Sequence, residues 1–471
     1  MIITLKQKGI INMKGYNKWS YSPYRPFLWE VGDIYICRLA PSKNSIHLEW
    51  LSIGTGAEYS VFCRTRGEGE FILYGNTFSL EYDVYGLTED TDYELLVTSG
   101  DKQSRIRLAR CAEAVGTVVN YLHPDDSCYS FSGRALCSPS LLRHPDGHLL
   151  ASMDVFAGEH PQNLTLIFRS DDDGESWHYQ CELMPCFWGK LFIHRGELYM
   201  LSVSTEYGDL LIGRSLDGGK TFSSPVTLLR GSNGKRGYSG IHKNPQNMLY
   251  HNGRLYGTLE WGSWLDKGYF HGAMVMSCDE NADLLDPESW HFTPPVVHDP
   301  SWDGAASDGR HGNIEGTLVV APDGKLYNIM RYQTQLEKKV LAFLVDGDPD
   351  TPLKYSHAIS FDGNLSKFMI KFDFESKRYF SIISRRIDEP RTVRNLLSLV
   401  SSKDLEHWET VCDLIDRRYD DPAMVGFQYI DFEIEGNDII YLSRTAMNCA
   451  KNYHDANYST FHRIVDFRSL L

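Results

Sequence analysis

The octapeptide SDDDGESW, from Ser170 to Trp177, returns further along the chain as SLDGGKTF, from Ser215 to Phe222. A shortened form, SKDLEHW, runs from Ser402 to Trp408, and a more degraded form lies near Ser277. The shared pattern is serine, any residue, aspartate, any residue, glycine, any residue, serine or threonine, and then an aromatic residue. Recurrence of one pattern along a chain indicates an internal repeat, and the period of the repeat predicts the fold.

The aspartates in this pattern predict a turn and not a metal site. Aspartate side chains accept hydrogen bonds from backbone N–H groups in tight turns, glycine supplies unusual backbone angles, and the aromatic residue can pack between sheets. A calcium loop would need a bidentate glutamate twelve positions on, which Asp172 lacks. We therefore expect Asp172, Asp217 and Asp404 to hold turns closed.

Six longer units surround these turns. Each has a strand, a tight turn, a second strand and then a third strand, and most have a fourth. Their opening hairpins are PSLLRHPDGHLLASMD, GKLFIHRGELYMLSVS, QNMLYHNGRLYGTLEW, EGTLVVAPDGKLYNIMR, SKFMIKFDFESKRYFSIISR and QYIDFEIEGNDIIYLSR. Four-stranded units spaced by about 45 to 65 residues are typical of a β-propeller. The sequence predicts six blades, or seven if the remaining segments form another.

The repeated pattern resembles the Asp-box, or BNR repeat, of sialidase-type propellers. That resemblance spans about 350 residues and implies an all-β fold with a propeller of the sialidase type. Because neighbouring strands of a blade are antiparallel, the aspartate turns must lie on the face opposite the one that carries function. The turns therefore indicate which strand ends to search for a site.

The region before the propeller has short strands with period-two alternation, which is typical of a small β-sandwich. It resembles a fibronectin type III domain in Trp50 of the second strand and in LTEDTDYELLV, where Leu87 precedes Tyr93 at the spacing of a tyrosine corner. We therefore expect an N-terminal extension at residues 1–28, a fibronectin type III-like sandwich at residues 29–115, and the propeller at residues 116–471.

Composition limits the classes of partner. The net charge of −15 argues against nucleic acid, although a local cationic pocket could still bind an acidic small molecule. No stretch has the length of a membrane span or of a signal-peptide core, so the cytoplasm is the expected location. The ten cysteines form no CxxC pair, no cluster has trustworthy metal-ligand spacing, and no cofactor is expected. The sequence does not indicate an oligomeric state.

Candidate site residues follow from the geometry of a blade. The start of strand one, the end of strand two and the start of strand three share the functional face. The starts of first strands offer Ser138, Trp188, Lys190, His242, Lys243, Gln246, Arg310, His311, Asn313, Glu315, Lys367, Gln428 and Tyr429. The ends of second strands offer Asp154, Glu260, Arg331, Arg385 and Arg444, and the approaches to third strands offer His160, His271, Arg394 and Asn457. Several of these arginines are expected to converge at the end of the central channel on the functional face, which we call the mouth. Their convergence favours a carboxylate ligand over blade-to-blade salt bridges alone.

The sialidase resemblance assigns roles to some of these residues. It implies that Glu315 polarises a nucleophilic Tyr429, and that Arg331 and Arg394 hold a substrate carboxylate. The chain departs from the family at RALCSPSLLRHPDG, where Cys137 and Ser138 precede Pro139 in place of an Arg-Ile-Pro element. It also lacks a clean match for the acid–base aspartate, for which MDVFAGEHPQNLTLIFRS offers Asp154 and His160.

Three functions remain open. The first is an exo-acting glycoside hydrolase on acidic oligosaccharides, with Tyr429 and Glu315 at the anomeric centre and Asp154 or His160 protonating the leaving oxygen. The second is a polysaccharide lyase on uronate-containing chains, in which Tyr429 or a histidine removes the C5 proton. The third is a non-catalytic glycan-binding propeller. The full set of candidates for substrate binding is Arg331, Arg385, Arg394, Arg444, Arg310, His242, His271, Trp188 and Glu260.

Overall fold

A computed structural model describes residues 20–21, 32–232, 238–264, 270–306, 313–387 and 390–471. Arg310 and His311, which the sequence placed at the mouth, lie outside these ranges. The regular elements of the described chain are almost all β-strands, apart from two short 3₁₀ helices at Pro287–Ser289 and Phe467–Leu470. None of the described helices has the length and apolar character needed to cross a membrane.

The N-terminal part forms two antiparallel sheets. Its strands are β1 (Ser20–Tyr21), β2 (Ile36–Pro41), β3 (Ser45–Trp50), β4 (Tyr59–Thr65), β5 (Ile72–Thr77), β6 (Glu81–Tyr85), β7 (Thr91–Ser99), β8 (Lys102–Gln103) and β9 (Arg107–Cys111). Strands β2, β3 and β6 form one sheet, and β5, β4, β7, β8 and β9 form the other, while β1 joins a sheet of the propeller. The alternation of buried and half-buried residues along β4 and β7 fits a sandwich with one inner face per sheet.

The inner faces of the two sheets bury a shared core. Trp50 is almost fully buried, and its ring centroid lies 5.4 Å from that of Tyr59 on the opposite sheet. The backbone N–H of Thr88 donates to the hydroxyl of Tyr93 at 2.9 Å, so that tyrosine fixes the turn before its own strand. The β-sandwich is therefore present, whereas its fibronectin type III likeness and the domain boundaries stay predictions.

Six further sheets follow. Their strands are β10 (Thr117–Tyr121), β11 (Ala135–Arg143), β12 (Leu149–Phe156), β13 (Leu164–Ser170), β14 (His178–Leu183), β15 (Phe187–His194), β16 (Glu197–Val203), β17 (Leu210–Ser215), β18 (Val226–Leu229), β19 (Gly240–His242), β20 (Leu249–His251), β21 (Arg254–Ser263), β22 (Phe270–Asp279), β23 (His291–Phe292), β24 (Asn313–Val320), β25 (Leu326–Tyr332), β26 (Lys339–Leu344), β27 (Lys354–Ser360), β28 (Lys371–Asp373), β29 (Arg378–Ser384), β30 (Leu396–Ser402), β31 (Trp408–Asp416), β32 (Gly426–Glu435), β33 (Asp438–Ala446) and β34 (Tyr458–Ile464).

These sheets are the blades of a propeller. The first five are β11–β14, β15–β18, β19–β23, β24–β27 and β28–β31, each a set of consecutive antiparallel strands. The sixth combines β32, β33 and β34 with β10, which precedes the first blade in the chain and pairs with β34. The sixth blade is thus completed by a strand from the other end of the propeller, a pairing that the repeat pattern did not predict.

The predicted turn role of the aspartates is confirmed. Asp172 Oδ1 accepts the backbone N–H of Ser176 at 2.9 Å, and Asp217 Oδ1 accepts that of Thr221 at the same distance. Both turns lie between the third and fourth strands of their blades, as does the turn of Asp404, which accepts the backbone N–H of His407 at 2.8 Å. The turns therefore lie between the third and fourth strands, where the sequence placed them.

The glycine and tryptophan of the first turn join two blades. Trp177 is fully buried, and its ring centroid lies 5.5 Å from that of Phe461 in the sixth blade. Gly174 has φ of 91°, and a Cβ at this position would lie 2.1 Å from the Phe461 ring. Only glycine fits there, because both the backbone conformation and the close approach exclude a side chain.

Four first strands contain a bulge at equivalent positions. The register of pairing shifts at Cys137–Ser140, Phe187–Lys190, Ile314–Gly316 and Gln428–Asp431. At each shift one non-glycine residue has positive φ, namely Ser138 (49°), Trp188 (52°), Glu315 (56°) and Tyr429 (56°). A bulge changes the direction of the side chain at its position. In each of these four strands, one residue therefore departs from the regular alternation between the two faces of the sheet.

Candidate active site

Glu315, Arg331 and Tyr429 form a hydrogen-bonded group at the mouth of the propeller. The Tyr429 hydroxyl donates to Glu315 Oε1 at 2.7 Å, and Arg331 Nη1 donates to Glu315 Oε2 at 2.5 Å. Arg331 Nη1 also lies 3.3 Å from the Tyr429 hydroxyl. Glu315 and Tyr429 lie 114 residues apart in the sequence, and all three side chains are almost fully buried.

The blade geometry explains why these residues meet. Glu315 lies near the start of β24, Arg331 lies near the end of the antiparallel partner β25, and Tyr429 lies near the start of β32. Glu315 and Tyr429 each occupy the positive-φ position of a strand-one bulge. A backbone conformation with positive φ costs of order 1–3 kcal/mol for a non-glycine residue. Such strain is often retained where it orients a functional side chain.

Two further arginines flank the tyrosine ring. The guanidinium carbon of Arg444 lies 4.9 Å from the centroid of Tyr429, and that of Arg394 lies 5.7 Å from it. Both distances are within the range of cation–π contacts. Arg394 also donates to the side chain of Gln428 and, at 2.7 Å, to the carbonyl of Leu365.

Within the described residues, the positive charge of this cluster is only partly offset, by Glu315 beside Arg331 and by Asp455 near Arg444. Among the described residues, Glu315 is the one carboxylate within salt-bridge distance of Arg331, Arg394 or Arg444. The Nε atoms of all three arginines are buried and have no hydrogen-bond partner in the described part of the chain. Buried cations of this kind need a compensating anion, so the cluster can bind a carboxylate.

Burial and the neighbouring charges set the protonation states. Burial opposes ionisation of Glu315, but Arg331, His242 and the hydrogen bond from Tyr429 outweigh it and lower its pKa. Burial and the Glu315 carboxylate raise the pKa of Tyr429 despite the three arginines. Glu315 is therefore ionised at neutral pH and accepts the proton of a neutral Tyr429 hydroxyl.

The pKa of Arg394 shows how crowded the cationic cluster is. Burial first, and then the nearby Arg331 and Arg444 guanidinium groups, lower the pKa of Arg394 to about 10. An anion bound between these arginines would relieve both effects, because it would replace lost hydration and offset the repulsion.

Histidine and aromatic side chains form the neighbouring wall. His242 Nδ1 lies 2.7 Å from Glu260 Oε2, and Glu260 Oε1 accepts the backbone N–H of Gly316 at 3.2 Å. The His242 ring lies 4.3 Å from the ring of Trp188 and 4.9 Å from that of His271. Glu260 thus holds His242 beside the residue that follows Glu315, and the structure brings Trp188, His242, Glu260 and His271 together.

Asp154 and Arg385 do not reach the cluster. Asp154 is fully buried, and its carboxylate accepts the Thr165 hydroxyl at 2.5 Å and the backbone N–H of Trp188 at 2.8 Å. Burial raises its pKa to about 7, but both oxygens are occupied behind the first strand of the second blade. Arg385 points to the outer strands of its blade, where Nη2 donates to Asp413 at 2.6 Å.

His160 lies on a separate part of the surface. It lines a cleft of about 720 Å³ with Arg134, Glu159 and Lys451. Within the described ranges, no hydrogen bond or ring contact joins it to Tyr429 or Glu315. A loop position does not fix the direction of a side chain, which is why the sequence could not separate His160 from the true cluster.

The loop after β33 covers the arginines. Its base is closed by Asn457, which exchanges two hydrogen bonds with the backbone of Met447. Within the loop, the ring of Tyr453 lies 5.5 Å from the Arg394 guanidinium, and the carbonyl of His454 accepts from Arg444 Nη2 at 2.5 Å. The sequence singled out Asn457 of this loop but missed Tyr453.

Tyr207 was also missed by sequence reasoning. Its hydroxyl lies 3.2 Å from His271 Nε2 and accepts the backbone N–H of Trp264 at 3.0 Å. Tyr207 lies between the second and third strands of the second blade, which is on the mouth face. The strand-end rule also applies to residues within the connection between a second and a third strand, because this connection lies on the mouth face. Tyr207 is such a residue.

Comparison with protein-family models and with curated proteins found no match. Among solved structures, the chain is similar to an α-L-arabinanase of Penicillium chrysogenum, with 14% identity, a TM-score of 0.51, and coverage of 76% of this chain and 99% of that one. It is also similar to a PL25 ulvan lyase (11% identity, 96% of each chain, TM-score 0.44) and to the NanB sialidase of Streptococcus pneumoniae (10% identity, 96% and 94%, TM-score 0.47). The likeness to the arabinanase shows the β-propeller fold.

Proposed function

We propose that the chain is a carbohydrate-active enzyme, and specifically an exo-acting glycoside hydrolase on oligosaccharides that end in a carboxylated sugar. The observation that carries the proposal is the Tyr429–Glu315 hydrogen bond enclosed by Arg331, Arg394 and Arg444. A neutral tyrosine paired with an ionised glutamate can act as a nucleophile, because the glutamate accepts the phenolic proton during attack.

A tyrosine nucleophile fits an anionic sugar. An anionic carboxylate nucleophile would repel the carboxylate of the substrate, whereas the hydroxyl of Tyr429 is uncharged before attack. As the Tyr429 oxygen bonds to the anomeric carbon, the glycosidic C–O bond breaks, the leaving oxygen takes a proton from solvent, and the phenolic proton passes to Glu315 Oε1, 2.7 Å away. Water then displaces the tyrosine from the anomeric carbon and releases a proton to solvent, while Glu315 returns its proton to the Tyr429 oxygen. Arg331, which contacts both groups, stabilises the negative charge that shifts between them.

The arginines define the acidic end of the substrate. Arg394 and Arg444 lie on the ring of Tyr429 and keep unpaired Nε atoms within the described chain. A carboxylate held by two guanidinium groups would place the adjacent anomeric centre against the tyrosine hydroxyl. An oligosaccharide ligand is consistent with the fold, since the P. chrysogenum arabinanase was solved with arabinobiose.

A polysaccharide lyase is the second candidate, and the His242–Glu260 pair favours it. A histidine held at Nδ1 by a carboxylate is a suitable general base, and His242 lies near Glu315. In that reaction the arginines would neutralise the uronate, and His242 or Tyr429 would remove the C5 proton.

The test uses the full-length chain and a panel of oligosaccharides. The panel contains sialylated, uronate-terminated and neutral arabinose chains, and each is assayed for new reducing ends and for ultraviolet absorbance of a new C=C bond. We expect new reducing ends without absorbance from a carboxylated substrate. Tyr429→Phe should bind that substrate but turn it over at least a hundredfold more slowly, while Tyr441→Phe, a buried tyrosine stacked on His462, should not change the rate.

Other outcomes have clear meanings. Absorbance with every product would favour the lyase. Cleavage of neutral chains alone would contradict the role of the arginines, and binding without any product would indicate a glycan-binding propeller. Full activity of Tyr429→Phe would exclude tyrosine as nucleophile or base.

A further inference from the structure

Four metal-binding side chains meet where the β-sandwich contacts the first blade. They are His47 and Glu49 on β3, Glu81 on β6 and His178 at the start of β14, and we call them the sandwich–blade group. His47 Nε2 lies 3.3 Å from Glu49 Oε1 and 4.0 Å from Glu81 Oε2. His178 Nδ1 lies 3.2 Å and 3.8 Å from the same two oxygens. One small volume is therefore surrounded by two imidazole nitrogens and two carboxylate oxygens.

Strand geometry makes the group possible. His47 and Glu49 are two residues apart on β3 and share a face, and Glu49 is directly opposite Glu81 in the β3–β6 pair. His178 follows Trp177 of the first aspartate turn. The backbone N–H of Tyr179 donates to Glu49 Oε2 at 2.9 Å, which brings β14 against the sandwich.

The spacing fits tetrahedral coordination. Ligands about 2.0–2.1 Å from a zinc ion in tetrahedral geometry lie about 3.3–3.4 Å from one another. The four nitrogen–oxygen distances span 3.2 to 4.0 Å. Rotation of the half-exposed His178 ring toward His47 would bring the fourth ligand into place beside the three that already lie together. Two imidazoles with two carboxylates suit zinc and exclude calcium, which takes oxygen ligands.

The surrounding residues orient the ligands and set the charge. Asp83 Oδ1 lies 3.0 Å from His47 Nδ1, an arrangement that leaves Nε2 free to bind an ion. Arg38 Nη1 donates to Glu49 Oε1 at 2.8 Å and uses one of its lone pairs. Three carboxylates and one guanidinium give −3 + 1 = −2 with neutral histidines, a charge that a divalent cation offsets.

Access is also available. The side chains of Glu81 and His178 are about half exposed. A cavity of about 380 Å³ lined by His47, Asp83 and His178 opens beside the group. An ion could therefore enter from solvent without unfolding either part of the chain.

We propose that the sandwich–blade group binds one zinc ion, which fastens the β-sandwich to the first blade. His47, Glu49 and Glu81 lie close enough together to hold an ion, and His178, which approaches the same two carboxylate oxygens from the first blade, would supply the fourth ligand and join the two parts of the chain. The site is independent of the arginine cluster and of the proposed reaction.

The described chain also provides a control. His144, Asp146 and His148 lie close enough together to hold an ion, but all three belong to one hairpin of the first blade. A zinc ion there would join no two parts of the fold. Substitution of His144 and His148 therefore tests for zinc bound at the alternative cluster.

The experiment measures zinc per chain by inductively coupled plasma mass spectrometry. Full-length protein is stripped with chelator, equilibrated with zinc chloride and dialysed. We expect one zinc per chain in the wild type and in the His144→Ala/His148→Ala control. We expect less than a tenth of that amount in His47→Ala and His178→Ala, and at least tenfold weaker binding in Glu81→Gln, which keeps the shape of a half-exposed side chain.

Three further measurements guard against misfolded variants. Circular dichroism of the metal-free proteins should give the same spectrum for all variants. Cobalt substituted for zinc should give the intense visible bands of tetrahedral coordination in the wild type and in the His144→Ala/His148→Ala control, but not in His47→Ala or His178→Ala. Zinc should raise the melting temperature of the wild type and not that of His178→Ala. A wild type that retains no more zinc than His47→Ala, or a control that loses its zinc equally, would overturn the proposal.

Discussion

At the scale of single residues, the mouth places an ionised glutamate and a neutral tyrosine in an excess of positive charge. Tyr429 and Glu315 share a proton-bearing hydrogen bond, and Arg331, Arg394 and Arg444 surround them. The arginines keep Glu315 ionised, while burial keeps Tyr429 protonated. Under the proposed function, this pair would transfer the proton, and the arginines would bind the anionic part of the substrate.

The arginines that face the tyrosine should determine affinity for an acidic substrate. Arg394→Lys and Arg444→Lys retain charge but lose the planar pair of donors, so we expect KM to rise about 10- to 100-fold, equivalent to about 1.5–3 kcal/mol. Arg385→Lys is the matched control, because Arg385 is paired with Asp413 on the outer strands. Steady-state kinetics on a cleaved acidic substrate provide the measurement. Equal effects in all three variants would contradict the assigned positions.

The pH dependence should report Glu315. Its pKa is lowered in the folded protein, so Glu315 stays ionised through neutral pH and is protonated only below the ordinary range of a glutamate, near 4. We expect kcat/KM to be maintained as pH falls to about 5 and to decline at lower pH. Glu315→Gln should be at least a hundredfold slower at neutral pH and should lack the acid decline. If kcat/KM of the wild type declined with a midpoint above pH 6, the acid decline would be caused by a group other than Glu315.

At the scale of elements, the strand-one bulge is the device that builds the mouth. Four blades share it, and in two of them the redirected residue is Glu315 or Tyr429. In the others it is Ser138 or Trp188. The bulge therefore belongs to the scaffold, and the residue type at the bulge determines whether a blade contributes chemistry.

The cost of the bulge can be measured at Ser138. Ser138 has φ of 49° and is buried, so Ser138→Gly should remove about 1–2 kcal/mol of backbone strain from the folded state. This gain should offset the stability lost because glycine has greater freedom in the unfolded chain. Ser152→Gly is the control, since Ser152 is buried in β12 with regular strand pairing and should lose about 0.5–1 kcal/mol. Urea denaturation should show Ser138→Gly as the more stable variant. The reverse order would show that the position is not strained.

The sequence predicted elements well where their pattern is local. All six opening hairpins, the third strands and the aspartate turns occur at the expected positions, because each depends on alternation and turn residues within about 20 residues. From these turns the sequence also singled out Glu315, Arg331, Arg394, Arg444 and Tyr429, which the structure brings together. It did not show that Asp154 and Arg385 are bonded elsewhere, because the direction of a side chain near a strand end depends on bulges and on neighbouring blades.

At the scale of the whole molecule, contacts between distant parts of the chain could not be predicted from the sequence. The pairing of β10 with β34 joins strands more than 300 residues apart, and nothing in the local pattern of either strand specifies its partner. The sandwich–blade group has the same character, because its four residues lie on three strands. Such groups become visible only after the ring and its attached sandwich are assembled.

The centre of the ring is held by charged groups as well as by apolar packing. Asp431 of the sixth blade accepts Lys190 Nζ of the second blade at 2.6 Å and the backbone N–H of Leu141 of the first blade at 2.8 Å. Lys367 Nζ donates to the carbonyl of Ile430 at 2.9 Å. Both partners of the Asp431–Lys190 pair are fully buried, so they connect three blades across the axis where no water can replace them.

Removal of this carboxylate should destabilise the propeller. Asp431→Asn leaves Lys190 buried without a counter-charge, and we expect a loss of about 3–5 kcal/mol in the free energy of unfolding at pH 7. Asp346→Asn, which removes the aspartate of an exposed pair with Lys354, should not change stability measurably and serves as the control.

The pH dependence of that loss has a definite sign. Burial raises the pKa of Asp431, but Lys190, Lys367 and Lys371 outweigh it, so the folded-state pKa lies below the unfolded value of about 4. The carboxylate therefore contributes its full stabilisation above pH 4 and loses it as pH falls through the folded value. Urea denaturation of wild type and Asp431→Asn between pH 7 and pH 3 should show the difference shrinking toward acid. A difference that grows as pH falls would mean that the pair opposes folding.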